Sequence, residues 1–67
     1  MKKNEMVVRL MAETRVTQAM LAKSYGISPQ AINAKMHKEQ PASVQDEWRK
    51  RILEIARESL RRAEEMA

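Results

Sequence analysis

Between Gln18 and His37 the residue order leaves one economical solution: two short helices joined by a sharp turn. Ala22 is small where two crossing helices must approach, and Gly26 stands where the chain must reverse and a positive φ is least costly. Ile27 and Ile32 plug the second helix back onto the first. Ser28 offers an oxygen to the free amides of the second helix, and Pro29 suits its first position, where a missing N–H loses nothing. Thr17 is the matching cap of the first. These signals predict helices over about 18–25 and 29–38.

The flanking segments predict two more helices. Asn4 is placed to cap one whose apolar face is Met6, Val7, Leu10 and Met11 and which ends within residues 14–16. Pro41 breaks the chain, and Ser43, with Asp46 or Glu47 in the first turn, marks the start of a helix that meets no breaker before Glu65. This last helix carries two adjacent stripes. Trp48, Ile52 and Ile55 make a core-facing one, and Leu53, Ala56, Leu60 and Ala63 make a neighbouring one that three short helices cannot also cover; it is the expected dimerisation surface. Met11, Met20 and Met36, with Met6, fall where core filling explains them. No segment alternates with the period of a strand. The expected fold is all-α, one domain over residues 1–67, with a three-helix core and a long C-terminal helix over about 43–65.

Composition narrows the function classes. Sixty-seven residues give a thin core, which oligomerisation would reinforce. With no cysteine and one histidine there is no basis for a disulfide framework, a metal site or a nucleophilic triad; no glycine-rich phosphate loop is present, so an enzyme is not expected. No cofactor and no small-molecule ligand is expected. Glu5 and Arg9 interrupt any signal-like apolar run, and no stretch approaches the roughly 18 apolar residues of a membrane span. A cytoplasmic chain without membrane attachment is the expectation. The net charge of +4 is unevenly spread: residues 1–40 hold seven Lys and Arg against three Glu, whereas the remainder holds six against six. The excess lies in the half that carries the two short helices, where it would meet phosphates.

The outward stripe of the second short helix is Gln30, Asn33, Ala34 and His37, spaced i, i+3, i+4 and i+7. An ordinary solvated helix is charged there. Side-chain amides offer a donor and an acceptor that match the N7 and N6 edge of adenine, so Gln30 and Asn33 are the principal candidates for reading bases. Ser28, Ala34 and His37 are further candidates, for a base edge or a phosphate. Gln18, at a helix N-terminus, is placed for phosphate, as are Lys23, Lys35 and Lys38; Lys2, Lys3, Arg9 and Arg15 are equally compatible with phosphate contact or with solubility.

Over residues 18–40 the run from Ala22-Lys23 to Gly26 and then Ala31-Ile32-Asn33 to His37 resembles the Cro and repressor-type helix-turn-helix regulators of phages and plasmids. The resemblance implies a transcription factor that binds a double-stranded, inverted-repeat operator as a homodimer and represses by occlusion, its own gene included. It also implies Gln18 on the DNA backbone, Pro29, Gln30, Asn33 and Ala34 facing bases, and His37 towards the backbone. Three departures stand out: Pro29 and Ala34 replace polar readers, Lys35 takes an apolar position and leaves Met36 to pack, and a long helix follows where the Cro branch continues into strands. The competing expectation is a small helical interaction module, such as an antitoxin or adaptor, docking through the last helix.

Overall fold

The structure, a computed structural model, describes residues 4–66. Four helices follow one another: α1 (Glu5–Thr14), α2 (Gln18–Tyr25), α3 (Pro29–Met36) and α4 (Ala42–Met66). There is no strand among the described residues. α2 packs on α3 and on α4, and α1 packs on α4, so α4 is the post for α1 and α2, and α3 is carried on α2. Its 25 residues span about 37 Å and account for the 39 Å long axis of the molecule.

The core is small and entirely apolar apart from Asn4. Val7 and Met11 enter it from α1, Leu21 and Ala22 from α2, Ile32 and Met36 from α3, and Trp48 and Ile52 from α4; Val16 joins from the α1–α2 turn. Ala22 is fully buried, as the close approach of crossing helices requires. Met36 is buried while Lys35 is exposed, so the packing role passes to Met36. Leu10, Met20, Tyr25, Ile27 and Ile55 seal the edges.

The turns explain why the helices stop where they do. Gly26 ends α2 in the left-handed region at φ 70°, and the Ile27 N–H donates to the Ala22 carbonyl at 3.0 Å, which throws Ile27 back onto the core. Thr17 Oγ1 accepts from the Met20 N–H at 3.1 Å, and Ser28 Oγ from the Ala31 N–H at 3.2 Å. Arg15 closes α1 at φ 61°, a conformation usually left to glycine, with the Val16 N–H on the Met11 carbonyl at 3.1 Å.

Several expectations are corrected. Asn4 does not cap α1 with its side chain: its backbone is left-handed at φ 53° and its side chain points inward, fully buried. Met6 is 70% exposed and outside the core, because the inward face of α1 is set by Val7 and Met11. α4 begins at Ala42, with the Pro41 carbonyl accepting from the Val44 and Gln45 N–H groups, so Ser43 lies inside the first turn. α3 ends at Met36 with His37 as its C-cap, two residues short of the expected limit. Within the second stripe of α4, Ala56 is half-buried against the core, while Leu53 and Leu60 are 36% and 62% exposed.

Candidate nucleic-acid interface

α3 is held at both ends, and its exposed side follows from how it is held. At the N-terminal end the Ser28 cap and Pro29 fix the first turn. At the C-terminal end Asn4 supplies a clasp that no local pattern announces. Its Nδ2 donates to the Met36 carbonyl at 3.1 Å and to the Lys38 carbonyl at 2.9 Å, its Oδ1 accepts from the Gln40 N–H at 2.9 Å, and its own N–H donates to Glu39 Oε2 at 2.9 Å. Gln40 Nε2 donates to the Lys35 carbonyl at 2.8 Å, and Gln45 Nε2 to Glu39 Oε1 at 2.8 Å and to the Gln40 carbonyl at 2.7 Å. The Lys35 and Met36 carbonyls of α3, open in an isolated helix, are thereby satisfied.

With Ile32 and Met36 turned inward, Gln30, Asn33, Ala34 and His37 are turned out and exposed. Together with Pro29 and Gln18 they line one shallow, open depression on the surface. Six of the seven residues singled out for base or backbone contact at this face therefore share one patch. The seventh, Ser28, is exposed but has its hydroxyl engaged as the α3 cap.

The two helices are joined across this patch by a single side-chain bond. Asn33 Nδ2 donates to Gln18 Oε1 at 3.1 Å, between residues fifteen positions apart. One N–H of Asn33 is used by this bond, and its second N–H and its Oδ1 remain, the pair an adenine edge takes up. Gln18 keeps both Nε2 hydrogens, beside the free amides that open α2. The patch itself carries no formal charge other than the one His37 acquires on protonation.

The lysines are not all where they were expected. Lys23 lies on the opposite flank of α2, in a groove shared with Arg51, Glu54 and Glu58 of α4, and does not join Gln18. Lys35 is exposed on the flank of α3 that looks towards Glu47 and Trp48. Lys38 is exposed just past the end of α3. Lys2 and Lys3 lie outside the described residues.

Elsewhere the polar surface is ordinary. Arg51 stacks over the Tyr25 ring, its guanidinium carbon 4.5 Å from the centroid. Burial pushes the Tyr25 phenol above its usual value, with Arg51 opposing and Glu47 adding to the rise. The phenol oxygen is buried without a hydrogen-bond partner. No grouping of His, Asp and Glu that could hold a metal occurs among the described residues, and no helix among them is long and apolar enough to cross a membrane. Comparison with protein-family models, with curated proteins and with solved structures gives no match, so the interface stands on its own geometry.

Proposed function

We propose that this chain is a sequence-specific, double-stranded-DNA-binding transcriptional regulator that acts as a repressor, with α3 as the helix entering the major groove. The observation that carries the reading is the Asn33–Gln18 hydrogen bond within an exposed, uncharged amide patch. A solvated helix has no use for such a patch, whereas a base-reading helix needs side chains that donate and accept without carrying charge. Gln30 and Asn33 take the base edges, Pro29 and Ala34 supply apolar contact of the kind a thymine methyl accepts, and Gln18 with the α2 amides takes a phosphate. Lys38 and the basic excess of residues 1–40 supply the salt-dependent part of the affinity.

Two copies would place two α3 helices in successive major grooves about 34 Å apart and read an inverted repeat. Bound across a promoter, such a pair excludes polymerase, and its own promoter is a natural target. The test is titration of a selected duplex with the wild type and with Gln30→Ala/Asn33→Ala, followed by fluorescence anisotropy. Each substitution is expected to weaken binding by about 1–3 kcal/mol. Because both side chains are exposed, helicity should be unchanged, and losing the exposed Asn33–Gln18 bond should lower stability by no more than about 1 kcal/mol. Undiminished affinity in the double variant would remove α3 as the reading element.

A further inference from the structure

α4 outruns the body it supports. Ile55 and Ala56 are the last of its residues packed on the core, yet the helix continues for ten more residues to Met66, a projection of about 15 Å. Trp48, Ile52 and Ile55 are used by the chain's own helices. The adjacent face repeats at alternating intervals of four and three through Arg49, Leu53, Ala56, Leu60 and Ala63, the spacing of a helix that packs along another helix. Leu53 and Leu60 on that face meet solvent at 36% and 62% exposure.

We infer that this face of α4 docks on the same face of a second copy of the chain, with the two helices antiparallel. The order of residues selects both the occupant and the direction. Reversed against itself, the face sets Leu53 opposite the partner's Ala63 and Ala56 opposite the partner's Leu60, so a large side chain meets a small one in every layer. The two-fold axis then generates the reciprocal contacts. In a parallel pair leucine would meet leucine and alanine would meet alanine, alternating crowded layers with empty ones.

Charge points the same way. Lys50, Arg57 and Glu64 follow one edge of the face at intervals of seven, basic in the first two positions and acidic in the third. Reversal sets this edge against the same edge of the partner, with Glu64 beside the partner's Lys50 on either side of a central Arg57 pair, whereas a parallel pair sets it against Ile52, Ser59 and Met66 and forms no such ion pair. Residues 57–66 hold three Arg and three Glu, so two projecting ends do not repel. Met6, 70% exposed, lines a surface with Arg49, Glu39 and Asp46 at the near end of the face.

This inference deepens the two-copy part of the proposed function, and its test uses no DNA, so that its failure leaves the reading face untouched. The chain lacks cysteine, which makes single-cysteine variants unambiguous. Leu53→Cys and Ala63→Cys proteins, each oxidised alone and then mixed, report direction. The antiparallel pair is expected to give a cross-linked species in the mixture several-fold faster than in either protein alone. Sedimentation of the unmodified chain is expected to give twice its 7.8 kDa mass. Leu53→Glu/Leu60→Glu should sediment as monomer with helicity and Trp48 emission retained, since neither leucine belongs to the core. A monomer of the unmodified chain at about 100 µM, a dimer unaffected by the two glutamates, or faster cross-linking within each single variant than in the mixture would each overturn the assignment.

Discussion

Single residues in this protein do work that their type alone does not reveal, and the two left-handed turns make the point in opposite directions. Gly26 and Arg15 both end a helix with positive φ, at 70° and 61°. A Cβ added at Gly26 meets nothing within 4 Å, so Gly26→Ala is expected to lose stability by about 1 kcal/mol through backbone strain alone. Arg15→Gly relieves the same strain and should gain up to about 1 kcal/mol; urea unfolding followed by Trp48 fluorescence measures both. Asn4 is a larger effect. Removing its amide in Asn4→Ala leaves the Met36 carbonyl and the Gln40 N–H without partners in a partly buried setting, and the Lys38 carbonyl with only the 3.3 Å bond from Gln40 Nε2, for an expected loss of about 2–4 kcal/mol in the same assay. A loss below about 0.5 kcal/mol would show that water replaces the clasp.

At the scale of the helices, what the sequence makes legible depends on how local the cause is. The α2–turn–α3 unit is written in neighbouring residues: Thr17 and Ser28 as caps, Pro29 at the first position, Gly26 at the reversal. Its exposed face and every boundary but the last follow from those alone; the end of α3 at Met36, two residues earlier than expected, lies where Asn4 binds the Met36 carbonyl. Asn4 reads locally as a helix cap, and its partners lie 32 to 36 positions away, so only the docking of α1 beside the α3–α4 junction turns it inward. Lys23 likewise sits one helix face away from Gln18, a difference decided by where α4 lies against α2. Met6 is apolar at a plausible core spacing, but α1 turns Val7 and Met11 towards α4 instead.

The α2–α4 contact can be followed by titration, because Tyr25 is the only tyrosine. Its folded-state pKa lies above the ordinary value of about 10, chiefly through burial. The folded protein therefore holds that proton more tightly than the unfolded chain. The stabilisation is complete below pH 10 and is lost as pH rises through the folded value. Absorbance at 295 nm should show phenolate appearing at higher pH in the native protein than in urea, and coincident curves would mean that the ring is not covered. The charged end of α4 behaves in the opposite sense. Arg61, bonded at 2.8 Å, and Arg62 hold the Glu58 carboxylate below its usual range, so whatever this exposed cluster contributes is lost as pH falls.

For the whole molecule, the asymmetry of charge follows the chain rather than one face. The basic excess lies in residues 1–40 with the amide patch, and the balanced remainder forms the projecting α4. The proposed function assigns the amide patch to DNA and the projecting helix to a second copy of the chain. Its central claim is that α3 reads bases. Selection from a pool of random duplexes tests this most directly, run in parallel with the unmodified protein and with Gln30→Ala/Asn33→Ala. The expected result is an enriched inverted repeat whose half-sites lie one helical turn apart, with a fixed adenine in each that the double variant no longer selects. No enrichment over the starting pool, or the same motif from both proteins, would contradict it.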